Sequence, residues 1–327
     1  MANKLEAHEM PLHKVLSSDH QFVIPEYQRP YSWDDEQAVQ LLEDLTEAIE
    51  RGGDDPYFLG SLVLIKAPDQ ARADVVDGQQ RLTTLTILLA VLRHLAEDDG
   101  VKGSIQKLIA EEGDVLQGLE PEPRLTLRPK DAPFFRQWVQ EPGGIAGLLS
   151  MTQDDPALVN DPRRLIRRNA KAFHERLVEW EPAARRDLAS YLAIRTYLVV
   201  VKTPTLDSAH RIFSVMNARG LDLEPSDIFK SDVIGKVAED LRTEYAKRWE
   251  DAEELLGRSS FSDLFLHLRM IHAKVRAKRE LLREFPDQVL SRYFPDHAAE
   301  FVDDVLVPYA KAYADIEDGS YVATAGA

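Results

Sequence analysis

The sequence predicts an α+β protein: a small mixed sheet with helices over residues 1–130, followed by a mainly helical region over 131–327 that packs on it. Two observations carry this reading. Three short β-type apolar runs and two helical patterns share the first hundred residues, whereas the end of the chain is rich in Leu, Glu, Lys and Arg at helical spacing. With 327 residues and 44% hydrophobic content, the chain is long enough to bury one large core or two joined ones.

In chain order, "QFVIP" from Gln21 is a short β-type run closed by Pro25. "DDEQAVQLLEDLTEAIERGG" from Asp34 is a helix: Ala38, Leu42, Leu45 and Ile49 recur at helical spacing, acids crowd the first turn, and Gly52-Gly53 ends the run. "YFLGSLVLI" from Tyr57 is nearly continuous in apolar character, as a strand covered on both faces would be. "ADVVD" from Ala73 is a third strand, and Leu82, Leu85, Leu88, Leu89, Leu92 and Leu95 then form an amphipathic helical stripe. Beyond Val101 a helix-like stretch leads to the Pro-rich "EPEPRLTLRPKDAP", where "RLTLR" is one more candidate strand and the first domain ends. "PRRLIRRNAKAFHERLVEW" and "AARRDLASYLAIR" read as helices and "TYLVVVKTP" as an isolated β-run. The stretch from Leu206 to Gly235 reads as two helices broken at Gly220 and Pro225, and the rest to about Ala314 as helix. The closing "DGSYVATAGA" is small and mostly polar, as a frayed terminus would be.

Composition excludes several classes of function. Lys plus Arg total 40 against 56 for Asp plus Glu, a net charge of -16, so the protein as a whole repels nucleic acid and anionic membrane and any DNA contact must be local. The absence of cysteine removes disulfides, thiolate catalysis and cysteine-ligated metal sites. The charged start has no signal-peptide core, and "LTILLAVL" from Leu85 is far short of a membrane span, so a cytoplasmic protein is expected. There is no P-loop, G-x-G-x-x-G, G-x-S-x-G or H-E-x-x-H, and the nine histidines lack ligand spacing.

Three constellations remain. In "VVDGQQRLTTL" from Val75, a strand turns through Gly78 into a helix at Gln79, which leaves the first amides of that helix without intrahelical acceptors and adds partial positive charge. Such a junction holds anions. Arg81 would add a charge-assisted bond of about 1.5–3 kcal/mol, more than the roughly 0.3–1 kcal/mol of the dipole. Asp77 is placed to hold a phosphate-bound metal ion or to orient a water. The competing reading is purely structural: Asp77 caps the helix, Gly78 makes the turn and Arg81 pairs with a carboxylate.

In "FVIPEYQRPYSWDDEQ" from Phe22, the rings of Tyr27, Tyr31 and Trp33 alternate with Pro25 and Pro30 around Gln28 and Arg29. This pattern suits a stiff pocket for a base, a sugar or a modified phosphate, or equally a rigid turn plugging the core. In "NARGLDLEPSDIFKSD" from Asn217, the groups Asn217, Arg219, Asp227 and Lys230 either reach a shared pocket or decorate a helix-turn-helix capped by Ser226. Two basic runs, from Arg163 and from His272, are candidate phosphate contacts or solvated faces paired with acids.

Taken in order, "IPEYQRPYSW", "YFLGSLVL", "VVDGQQRLTTL" and "AHRIFSVMNARGLDLEPSDIFKSD" resemble the N-terminal domain of modification-dependent restriction and anti-phage proteins of the GmrSD type, over about Leu12 to Ala238. The resemblance implies a ParB- and sulfiredoxin-like fold in residues 1–130 whose strand-turn-helix cradles nucleotide phosphates. It implies hydrolysis of a nucleoside triphosphate, GTP or ATP, with Mg²⁺. Asp77, Gln80 and Arg81 would be catalytic, and Gly78, Gln79, Gln80, Arg81, Asn217, Arg219 and Lys230 would bind nucleotide, with Asp77 as metal ligand. Hydrolysis would be coupled to modified double-stranded DNA and to a nuclease domain or subunit. No stretch of this chain reads as that nuclease, so a piece of a longer protein or a stand-alone sensor subunit is expected; association into oligomers stays open.

The phosphorothioation-sensing branch looks most similar, with Tyr27, Gln28, Arg29, Pro30, Tyr31 and Trp33 as the sensing string. Sulfur in place of a phosphate oxygen is larger, more polarizable and less hydrated, so an aromatic and proline cage can prefer it while Arg29 meets the remaining charge. Branches that sense glucosylated or methylated bases are not excluded. A non-hydrolysing regulatory module that binds nucleotide or DNA is the alternative, and a direct nuclease is disfavoured by the lack of a carboxylate cluster.

Overall fold

The computed structural model describes residues 6–52, 56–113, 121–204, 225–274 and 281–320. The chain divides into two compact units, one formed by residues 1–25 and 30–218, the other by 26–29 and 219–327.

The first unit is built on a six-stranded mixed sheet. Its strands are β1 (Glu6–Pro11), β2 (Gln21–Val23), β3 (Tyr57–Ile65), β4 (Arg72–Asp77), β7 (Leu125–Thr126) and β8 (Thr196–Thr203), in the order β1-β8-β3-β4-β2-β7. A separate two-stranded ribbon pairs β5 (Ala110–Glu111) with β6 (Glu122–Pro123). The strands read from "QFVIP", "YFLGSLVLI", "ADVVD" and "RLTLR" are all present. The run "TYLVVVKTP" is not isolated: β8 lies parallel to β3 and antiparallel to β1. β1 escapes the sequence reading because Glu6 to Glu9 are exposed, so it has backbone pairing but no apolar alternation to betray it.

The helices of this unit are α1 (Leu12–Val15), α2 (Asp35–Glu50), α3 (Gln79–Leu95), α4 (Asp99–Ile109), α5 (Ala132–Phe135), α6 (Gly144–Ser150), α7 (Asp161–Leu177) and α8 (Pro182–Arg195). α2 begins with a full capping box, in which the Asp34 side chain accepts from the amides of Glu36 and Gln37 and the Gln37 side chain accepts from the amide of Asp34.

α3 is the central helix and packs against α4, α7 and α8. It is not amphipathic as its leucine spacing suggests: every residue except Arg81, His94 and Leu95 is buried. The hydroxyls of Thr83, Thr84 and Thr86 make this possible by donating to the carbonyls four residues back, at 2.8–2.9 Å, which satisfies them inside the core. The division between units does not fall near residue 130. Phe134, Phe135, Ile166, Phe173, Leu188 and Leu192 share one continuous core with Leu85 and Leu88, so α5 to α8 and β8 complete the first unit.

The second unit is helical, with helices Pro225–Lys236, Arg242–Leu256, Arg258–Ala273, Leu281–Gln288 and Val307–Glu317. Its core is aromatic: Trp249 packs on Phe261, Phe265 and Phe301, and Phe229 stacks on Phe285. Among the described residues, no helix is long and apolar enough to cross a membrane.

One histidine makes the first unit sensitive to acid. His20 is buried, its ring stacked on Phe22 with centroids 5.5 Å apart. Burial, reinforced by Lys202 and Lys66, pushes its pKa down to about 4 from an ordinary 6.5. The unfolded chain therefore takes the proton more readily, so the stability this group contributes is present above pH 6.5 and is lost as the pH falls toward 4. In urea unfolding between pH 4 and 7, His20→Leu should shrink the acid loss of stability by about 3 kcal/mol. An unchanged pH slope would contradict this assignment.

Candidate functional site

β2 and β4 are parallel neighbours, with Val23 beside Asp74, so the chain leaves both strands at the same end of the sheet. From β4 it enters the Asp77 to Arg81 turn. From β2 it enters the segment that returns to α2 through Pro30 to Trp33.

Gly78 is the N-cap of α3 and sits at φ 94° and ψ 7°, the left-handed region that strains any residue with a Cβ. Space also excludes a side chain there, because a Cβ would lie 2.8 Å from Leu62 Cδ1 and 3.2 Å from the Ser61 carbonyl oxygen. The purely structural reading of Asp77 as the cap is thus replaced. Gly78 holds that position and offers no side-chain acceptor, while its carbonyl closes the first turn by accepting from Leu82 N at 3.0 Å.

Arg81 turns back onto β3. Its Nη1 donates to the Ser61 carbonyl at 2.9 Å, and its guanidinium lies flat over Gly60, where a Cβ would meet it at 3.0–3.2 Å. Gly60 stands at a register shift in the β3–β8 pairing with φ +113°, so the strand is opened where the guanidinium rests. Burial pulls the Arg81 pKa below its ordinary value, opposed chiefly by the nearby carboxylate of Asp77. The guanidinium stays cationic and half-buried. Tyr57, held by a hydrogen bond to Asp44 at 3.1 Å, has its own pKa pushed up to about 12 by burial and by that carboxylate. Gly60, Ser61 and Tyr57 were missed in the sequence; a glycine inside an apolar strand was the available signal.

Gln80 is a clamp. Its Oε1 accepts from the amides of Ser32 at 2.8 Å and Trp33 at 3.3 Å, and its Nε2 donates to the Pro30 carbonyl at 3.0 Å. Both acceptor lone pairs and one donor of Gln80, the residue that the resemblance makes catalytic, thus hold backbone. Gln79 is likewise buried.

The sensing string divides. Tyr27, Gln28 and Arg29 group with the second unit, where Tyr27 packs on the aromatic core and Glu26 accepts from the Thr243 hydroxyl at 2.8 Å. Pro30, Tyr31 and Trp33 group with the first. Tyr31 is packed in the core. Its ring is 6% exposed, and its hydroxyl lies 2.7 Å from both Thr84 Oγ1 and Asn169 Nδ2. Burial pushes the Tyr31 phenol well above its ordinary pKa. Trp33 packs partly against the same core, and its carbonyl accepts from Asn169 Nδ2 at 2.9 Å.

Lys230, expected at the nucleotide, is paired with an acid. It is 1% exposed, inside the second unit, with Nζ 3.0 Å from Glu250 Oε1. The helix that carries it starts at Pro225, so Ser226 lies inside the first turn instead of capping it. Asn217 and Arg219 lie outside the described residues. Among the described residues, no three His, Cys, Asp or Glu side chains gather into a metal-holding group.

The basic run from Arg163 is neutralised locally. Arg163 donates to the carbonyls of Ala157 and Lys130, and Arg167 to that of Met151. Arg164 pairs with Asp161, Arg168 with Asp35 and Lys171 with Glu175. The cleft of about 720 Å³ along α7 carries Asp35, Asp154, Asp155 and Glu175 against Arg164, Arg167, Arg168 and Lys171, so its wall has no net sign. Of the run from His272, residues 275–280 lie outside the described residues.

If Gln80 is a clamp, Gln80→Ala leaves the Ser32 and Trp33 amides and the Pro30 carbonyl without their partner. Urea unfolding of the first unit should then lose about 2–4 kcal/mol. A loss under 0.5 kcal/mol would contradict the clamp.

No curated protein matches the chain. A family model described as the GmrSD restriction endonuclease, N-terminal domain, matches residues 12–234, which run from α1 of the first unit into the helix that carries Lys230. That match spans more than half of the chain, and its Asp77 to Arg81 turn with the clamped Pro30 to Trp33 segment lies within it: the protein belongs to the family of GmrSD restriction endonuclease N-terminal domains.

Proposed function

We propose that this chain is a nucleoside triphosphatase that senses modified DNA within a restriction system, with phosphorothioated DNA as the modification it reads. The observation that carries the reading is the Asp77 to Arg81 turn. A left-handed glycine without a side chain opens α3, and a cation is braced beside it by Ser61 and Gly60. Anions bind where backbone amides and the positive end of a helix converge, and the guanidinium adds the stronger, charge-assisted contact.

In this reading the phosphates of GTP or ATP lie against the first turn of α3 and Arg81, on a sheet of ParB- and sulfiredoxin-like type. Asp77 orients the attacking water or holds Mg²⁺, which when bound neutralises phosphate charge. Gln79 and Gln80 belong to the nucleotide-binding string by resemblance, which also assigns Gln80 to catalysis. Tyr27, Gln28, Arg29 and Pro30 form the sensing face, with Tyr31 and Trp33 supporting it from the core. Asn217, Arg219 and Lys230 are assigned to nucleotide binding by resemblance alone, and the burial of Lys230 against Glu250 speaks against its direct contact. A nuclease domain or subunit would execute the cut.

A second reading, a regulatory module that binds nucleotide without hydrolysing it, is favoured by one observation. Gln80, assigned to catalysis by resemblance, is held by backbone through both of its polar atoms.

Phosphate release from GTP and from ATP, with Mg²⁺ and with or without a phosphorothioated duplex, separates the two. Arg81→Ala should lower kcat/KM by about 10- to 150-fold, as loss of a charge-assisted bond of about 1.5–3 kcal/mol requires. Turnover equal to the parent would reject the site. Saturable binding without turnover would select the second reading.

A further inference from the structure

From the bonds around Tyr31 and Trp33 we infer that Asn169, on α7, is a positioning residue that couples the sensing string to the phosphate turn. The inference rests on the proposed function and names the part that makes one ligand felt by the other. Asn169 lies far from both motifs in sequence and belongs to neither. It is fully buried, and its Nδ2 donates to the Tyr31 hydroxyl at 2.7 Å and to the Trp33 carbonyl at 2.9 Å.

The same short segment is gripped from α3. Gln80 Oε1 receives the amides of Ser32 and Trp33, Gln80 Nε2 reaches the Pro30 carbonyl, and Thr84, one turn further along α3, meets the Tyr31 hydroxyl. Residues 30–33 are therefore a strap with α3 on one side and α7 on the other. Asn169 closes the bridge, because its single amide nitrogen touches both the side chain of Tyr31 and the backbone of Trp33.

The strap continues directly from Arg29, so a ligand that displaces Tyr27 to Pro30 pulls on bonds that end at Gln80, the residue next to Arg81. If the strap were free to bend between Pro30 and Asp34, that displacement would be absorbed before it reached α3. Two donor bonds from a buried side chain prevent the bending. A fixed mechanical link between two sites is a coupling free energy, and it must act equally in both directions.

The experiment measures the Kd of a phosphorothioated duplex for the full chain, with and without a non-hydrolysable GTP or ATP analogue, and the Kd of the analogue with and without the duplex. The parent should show at least a fivefold change in each, of equal size. Asn169→Ala should keep each ligand's separate affinity within about threefold while the coupling ratio falls to within twofold of unity. A side chain that served only stability would lower the melting temperature and leave that ratio alone. Asn169→Ser, which keeps one donor, should restore part of the coupling and serves as the second variant if the alanine form does not fold. A parent that binds neither ligand would reject the proposed function and the coupling with it. A parent that binds both without coupling, or an Asn169→Ala protein as coupled as the parent, would reject the role of Asn169 alone.

Discussion

The backbone turn at Gly78 is the constraint on which the first unit depends. A φ of 94° and a gap too small for a methyl group against Leu62 fix both where β4 stops and the direction in which α3 leaves. Because α3 runs through the middle of the unit with nearly every side chain buried, its entry angle is set once and then shared by all that packs on it. The same turn displays the first residues of α3 at the end of the sheet where β2 also ends. Stability and the proposed site thus share one feature: the glycine that lets the helix enter the core is the residue that leaves its first turn without a side-chain cap.

Around that turn, polar groups are arranged to hold backbone in place. Gln80 grips Pro30, Ser32 and Trp33; Asn169 grips Trp33 and Tyr31; Arg81 grips Ser61. Each of these bonds joins segments distant in sequence, and the Gln80 and Asn169 bonds are buried or part-buried, where an unmade bond costs about 1–3 kcal/mol. The cationic helix α7, by contrast, is laced with exposed ion pairs such as Arg164–Asp161 and Lys171–Glu175, which contribute little to stability, in a chain whose net charge is -16. In such a molecule a phosphate is best met by a focused site with one braced arginine.

Much of this fold was legible in the sequence where the signal is local. The strands at Gln21, Tyr57 and Arg72 and the helix after Asp34 announce themselves through apolar runs, acids in the first turn and glycine stops within a few residues. What could not be read is what depends on partners far along the chain. β1 is a charged hexapeptide whose strand state comes from pairing with β8, almost two hundred residues later. Tyr31 looked like part of a ligand cage because aromatic and proline residues crowd around it; only Thr84 and Asn169 reveal its hydroxyl as a core group. Gln80 entered as catalytic by resemblance alone, and the backbone it holds is some fifty residues upstream. Arg81 was read as an anion ligand, and its brace on Ser61 is compatible with that reading because the guanidinium has five donors and this bond occupies one.

The central claim is that the first turn of α3 receives a triphosphate. Hydrogen exchange read by mass spectrometry on peptides across Val75 to Leu85, with and without a non-hydrolysable GTP or ATP analogue, tests it most directly. The account predicts slower exchange of the amides from Gly78 to Leu82 when the analogue is bound, and loss of that protection in Arg81→Ala. Saturating nucleotide that leaves these amides unchanged while protecting another part of the chain would contradict it.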